Sequence, residues 1–127
     1  MLKEELMIGD LVYRPDCYDT VKEIRENGII GADSFRGIIG FNELKPIPLT
    51  PEIFEKNGWK WDGMYATKKH DNTMYFTYYL HEGILRDFYD HKSGEQELIF
   101  LSRPGMRYVH DLQHALKLCG IYENFEL

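Results

Sequence analysis

Three prolines in the stretch Lys45-Pro46-Ile47-Pro48-Leu49-Thr50-Pro51 divide this chain more firmly than any other feature of it. Proline fixes φ and supplies no N–H, so neither a helix nor a central strand can run through these residues. Extended backbone at Pro46 and Pro48 instead leads into a helix start. Thr50 can cap, Pro51 suits the first helical position, where a missing N–H costs nothing, and Leu49 can staple onto Phe54. Gly58 would then stop the helix after Asn57. Pro48-Leu49-Thr50-Pro51 also fits the P-x-x-P pattern of peptides that dock on SH3 domains, but every position already has a local structural role, and the helix start is the preferred reading.

On either side of this joint the turn signals predict strands. Before it, glycine-broken runs over Leu6 to Tyr13, Thr20 to Arg25, Ile29 to Ala32 and Gly37 to Leu44 are separated by Arg14-Pro15-Asp16, Glu26-Asn27-Gly28 and Asp33-Ser34. That spacing suits a small SH3-like barrel or meander. After it, runs over Trp59 to Trp61, Met64 to Thr67, Thr73 to Leu80, Ile84 to Asp90 and Glu97 to Leu101 predict an antiparallel meander. Within Thr73 to Leu80, Met74, Phe76, Tyr78 and Leu80 alternate with Tyr75, Thr77 and Tyr79, which separates a core face from a more polar, aromatic one. Helical periodicity over residues 107 to 119 places Tyr108, Val109, Leu112, Ala115, Leu116 and Cys119 on one stripe, with Gly120 as the stop. The tail Ile121 to Leu127 could add an edge strand. The expected fold is therefore α+β: a β-rich unit, 1–49, followed by an α+β unit, 50–127, whose last helix covers the sheet.

Charge narrows the function classes. Fifteen Lys and Arg stand against 21 Asp and Glu, a net charge of −6, and cutting after Thr50 leaves three more acids than bases in each part. Neither part is basic enough to bind along a nucleic-acid backbone by counterion release, nor an anionic membrane surface. An SH3-like nucleic-acid module would need Lys3, Arg14, Lys22, Arg25 and Arg36 to converge. The acidic residues near Met1 and the want of a long apolar run predict neither a secretion signal nor a membrane span. Cys17 and Cys119 belong to no Cys-x-x-Cys pair, which points to a reducing cytoplasm rather than to a disulfide framework or thiolate zinc site.

Several residue groups invite chemistry. His110 and His114, at i and i+4, have the spacing of helical zinc ligands. Projected at about 100° per residue they fall opposite the apolar stripe, so both are expected to face solvent and to hold no metal. His70, His81 and His91 fall at turn ends beside Asp71, Glu82 and Asp90, where polar residues are usually only wet. Asp87, Asp90, Glu95 and Glu97, with Lys92 among them, could suggest glycoside hydrolysis or a nuclease centre, but on one hairpin they read better as edge charges that discourage strand addition. No phosphate loop, nucleophile elbow or paired Cys and His is present, so no cofactor is expected. The strongest signal is aromatic. Trp59, Trp61, Tyr65, Tyr75, Phe76, Tyr78, Tyr79, Phe88 and Tyr89 are half of the 18 aromatics, and their first reading is core, since a meander with one packed helix needs large residues to bury enough area. A surplus would suit a protein contact or a stacking platform.

Three blocks carry a resemblance. Glu5-Leu6-Met7-Ile8-Gly9-Asp10-Leu11-Val12, then Leu44-Lys45-Pro46-Ile47-Pro48-Leu49-Thr50 with Gly58-Trp59, then Tyr108-Val109-His110-Asp111-Leu112-Gln113 with Ala115-Leu116 resemble a family of short proteins from phages, prophages and mobile elements of Bacteroides and related gut bacteria. The blocks cover about a fifth of the chain, and residues 60–106 match nothing in that family. The resemblance implies a bacterial or phage cytoplasmic setting and transfers no catalytic residue.

The function expected from these observations is a non-enzymatic protein-binding or adaptor role, with a host or phage protein as partner and Trp59, Trp61, Tyr75 and Tyr79 as the binding surface. The alternatives are a small-ligand-binding or hydrolytic domain with an aromatic pocket, and the SH3-like nucleic-acid module.

Overall fold

The computed structural model describes the chain except at 16, 33–36, 70–73, 91–95, 101–105 and 123–124, and without the side chains at 74–75, 86–90 and 96–100. It is an α+β fold with two open antiparallel sheets. By contacts the residues divide into two compact units, Met1–Pro48 with Tyr108–His114, and Leu49–Arg107 with Ala115–Leu127.

In the first unit β1 (Leu11–Arg14), β2 (Cys17–Arg25) and β3 (Gly28–Gly31) form a meander in that order. It is not a closed barrel, which corrects the SH3-like barrel alternative. Among the described residues, only isolated bridges reach its two outer strands, Tyr13 to Lys45 and Ile29 to Ile39. The expected strand Gly37 to Leu44 is absent. Ile39 makes its single bridge and Phe41–Glu43 is a 3-10 turn. Gly28 allows the close approach of Ile39, since a Cβ there would collide with the Ile39 carbonyl. The strand expected from Leu6 begins only at Leu11, after a 3-10 turn at Lys3–Glu5. Leu6, Val12, Val21, Ile29, Ile39 and Leu44 form the core of this unit, with Met1, Ile24 and Phe41 packed on its margin.

The second unit opens with α1 (Pro51–Lys56). Thr50 caps it by accepting from Ile53 N at 3.3 Å, Pro51 takes the first position, and Gly58 follows with φ +83°. The second sheet has four main strands, β5 (Tyr65–Lys69), β6 (Met74–Tyr79), β7 (Ile84–Asp90) and β8 (Gln96–Phe100), preceded at one edge by the two-residue β4 (Lys60–Trp61). The antiparallel meander is as expected. Gly83, at φ +65°, makes the turn before β7, with the Met106 backbone against it, so that no side chain would fit there. Phe54, fully buried, meets Trp59 edge-on at 5.2 Å and Tyr78 at 5.0 Å, and the Tyr78 hydroxyl donates to Met106 O at 2.5 Å. The described part of the tail forms no strand. Asn57 holds it through both side-chain atoms, Nδ2 donating to Glu126 O (2.9 Å) and Oδ1 accepting from Glu126 N (2.7 Å).

The last helix, α2 (Val109–Leu118), has its first turns in the first unit and the remainder in the second. Val109, Leu112, Ala115 and Leu116 are buried as their spacing predicts. No helix among the described residues is long and apolar enough to cross a membrane.

Candidate functional site

Strand register sorts the aromatic residues of the second sheet onto its two sides. Ala66, Tyr78 and Leu85 are paired across β5, β6 and β7, and all are 0% exposed, so their side holds the core. One residue along lies the opposite row, Tyr65, Tyr79 and Ile84. The rings of Tyr65 and Tyr79 lie 5.5 Å apart at 42°, with Tyr65 36% exposed and Tyr79 half-buried. Alternation of side chains along a strand makes this the outer side. Two rows away the backbone pairs positions 69, 75, 88 and 98, placing Tyr75 in phase with Tyr79.

Beside this pair sits Asp62. Its Oδ1 accepts from Met64 N and Tyr65 N, each at 2.9 Å, in the turn that Gly63 permits at φ +101°. Those backbone donors hold the Asp62 carboxyl below its ordinary range, while the hydrogen bond and charge of Asp62 push the Tyr65 hydroxyl above its own. Met64, 63% exposed, completes an apolar and acidic patch.

Of the four expected surface residues, the structure leaves Tyr79 on the outer side and places the backbone of Tyr75 there, the Tyr75 side chain lying outside the described residues. Trp59 belongs to the core at 3% exposure, against Phe54. Trp61 is half-buried and pairs with Ala66, on the core side. Thr77, expected on the more polar face, is 4% exposed.

In comparisons with protein-family models, curated proteins and solved structures, nothing matches this chain.

The histidine pair requires a correction. His110 is 3% exposed, and His114 binds the fully buried Asp10, its Nε2 lying 2.8 Å from both carboxylate oxygens. An ionised Asp10 carboxylate only accepts, which makes the His114 Nε2–H the donor of this pair. Gln113 works alongside, Oε1 accepting from Leu11 N at 2.9 Å and Nε2 donating to Gly9 O at 3.1 Å. Met7 N also donates to Asp10 at 2.8 Å. Three consecutive residues, Gly9 to Leu11, are thus clamped by two consecutive residues of α2. The solvent-facing projection failed because it assumes a helix buried on one side only, whereas α2 begins with a second, polar side covered. In the sequence Asp10 reads only as part of the strand run Leu6 to Tyr13, because its partner lies 104 positions away.

His110 stacks on Tyr108 (5.9 Å, 12°) and meets the His114 ring edge-on at 5.6 Å. Its Nδ1 is buried with no hydrogen-bond partner, and burial pushes its pKa below the ordinary histidine value, opposed by the charges of Asp111, Asp10 and Glu5. Among the described residues no group of three or more His, Cys, Asp or Glu is placed to hold a metal ion.

The remaining candidates separate. His70 and His91, with Lys92 and Glu95, lie outside the described residues, as do the side chains of Asp87, Asp90 and Glu97. His81 is exposed and accepts through its carbonyl from Arg107 Nη2 at 2.8 Å. Of the cations a nucleic-acid module would need, Arg14 faces Cys17 Sγ (3.0 Å) and Asp19 (3.6 Å), Arg25 pairs with Glu23 (2.9 Å), and Arg36 is outside the description.

Proposed function

We propose that this chain is a non-enzymatic protein-binding module, an adaptor, that engages a host or phage protein through the outer side of its second sheet around Tyr65 and Tyr79. The observation that carries this reading is the cross-strand ring pair itself, partly exposed on the side of the sheet opposite its packed core. Rings already held against each other lose little conformational freedom when a partner covers them, so more of their buried area counts toward affinity.

Asp62 gives the partner a chemistry. A carboxylate kept charged beside two tyrosine faces favours a cationic side chain seated among apolar neighbours, drawn by the carboxylate and the ring faces together.

The test pairs two measurements on Tyr65→Ala and Tyr79→Ala. Retention of the partner from host lysate should fall about tenfold or more, the loss expected of central aromatic contacts. The folding free energy should change by about 0.5 to 1 kcal/mol, because truncating a part-exposed ring opens no closed cavity. Stability lost in step with retention would assign both rings to folding, and unchanged retention would remove the site.

A further inference from the structure

The first unit carries an open groove of about 290 Å³, lined by Tyr13, Tyr18, Lys45, Pro46, Ile47 and Pro48. We propose that this groove binds an extended, proline-containing peptide segment of a partner protein, with a carboxylate beside its prolines. The proposal is independent of the sheet-face reading, since it concerns other residues in the other unit.

One wall is the ring pair of Tyr13 and Tyr18, directly opposed in register on β1 and β2, 5.4 Å apart and tilted by 59°. Tyr18 is 51% exposed, so its ring is available to a ligand. The other wall is Pro46 to Pro48, in which two of three residues have no N–H to offer.

The backbone around the groove decides what kind of chain can enter. A β-strand would need open donors and acceptors at the edge of β1. Tyr13 already exchanges both of its outward bonds with Lys45, N to O at 2.9 Å and O to N at 2.8 Å. Leu11 N, two positions earlier, is taken by Gln113. Strand addition is therefore closed off at both residues, and what remains is ring surface. A polyproline II segment suits such a surface: it requires no ladder of hydrogen bonds, it is already extended before binding, and its rings pack flat on aromatic faces.

Charge selects within that class. Lys45 is the one charged side chain of the lining, and it is exposed. Its backbone holds Tyr13 while its ammonium is left to meet a ligand carboxylate. At physiological salt this local contact outweighs the acidic balance of the whole chain, because charges more than about 8 Å away are largely screened.

The experiment uses the full chain and labelled nine-residue peptides read by fluorescence anisotropy. One peptide alternates proline with glutamate, a second replaces each proline by alanine, and a third replaces each glutamate by lysine. The first should bind saturably, and the second and third about tenfold more weakly or worse. Tyr18→Ala should reduce binding of the first peptide by a similar factor, and Lys45→Glu should reverse the preference between glutamate and lysine peptides. Both variants should keep the melting temperature, since Tyr18 is half in solvent and Lys45 bonds Tyr13 through backbone atoms alone. Tyr65→Ala should leave peptide binding unchanged, which separates this site from the sheet face. Equal binding of the proline and alanine peptides, no saturable binding of any, or unreversed preference in Lys45→Glu would overturn the proposal.

Discussion

Tyr78 in the second unit and Asp10 in the first are both fully removed from solvent, and they are held by opposite means. Around Tyr78, Phe54 and Trp59 supply ring against ring, and one hydroxyl finds one carbonyl. Around Asp10 the bonds are polar: its carboxylate meets His114 and accepts from Met7 N, and Gln113 bonds the neighbouring Gly9 and Leu11. The aromatic cluster needs volume and can tolerate a ring exchanged for another apolar side chain of similar size. The polar cluster needs every donor matched to an acceptor, because an unmatched group in a low-dielectric interior costs more than a matched one contributes.

The largest effect is therefore expected from deleting volume. Phe54→Ala removes the ring that touches both Trp59 and Tyr78, and urea unfolding should record a loss of about 3 to 5 kcal/mol. A loss near 1 kcal/mol would mean that the cluster collapses around the gap and that its packing is not what stabilises the second unit.

Next comes the polar cluster. Asp10→Ala strands His114 Nε2 and Met7 N, and a loss of about 2 to 3 kcal/mol is expected. The comparison sharpens in a double-mutant cycle with His114→Ala. The two changes should be non-additive by about 1 kcal/mol or more, whereas additive losses would show that the pair does not act as a pair.

The difference between the clusters also explains what could be read in advance. The start of α1 was legible because Thr50, Pro51 and Gly58 each act within a few residues of themselves. The meander after it was legible because Asp62-Gly63 and Glu82-Gly83 mark turns locally, and the buried row of Phe76 and Tyr78 follows from strand alternation. Gly37 to Leu44 misled because alternating apolar residues suit a strand only where a neighbour offers a continuous edge, and Ile39 finds a single bridge. The place of Trp59 was not legible either. Its large ring fits a surface or a core equally well by composition, and only the packing of Phe54 against it decides. The Asp10 clamp was least legible of all, since it joins residues about a hundred positions apart with no periodic signal.

The smallest effect concerns His110, a buried residue with one ring nitrogen that neither cluster satisfies. Its Nδ1 has no partner, and its surroundings include Asp10, Asp111, Glu5, His114 and the Tyr108 ring. Desolvation is the leading cause of its lowered pKa, so the folded chain binds a proton there less readily than the unfolded chain, whose histidine titrates near 6.5. Between the two pKa values the unfolded state holds more protons, and stability must fall as pH falls. The titration of His110 therefore costs nothing above that unfolded value, and its penalty grows below it until the folded pKa is passed. His110→Phe keeps a ring to stack on Tyr108 and removes both the orphaned nitrogen and the titration. Melting temperatures taken from about pH 7.5 to about pH 5.5 should fall less steeply for His110→Phe than for the wild type, and the difference between the two chains cancels what the other acids and histidines contribute. Parallel curves would place the His110 ring in contact with water, and the polar side of α2 would then be less closed than the Asp10 clamp requires.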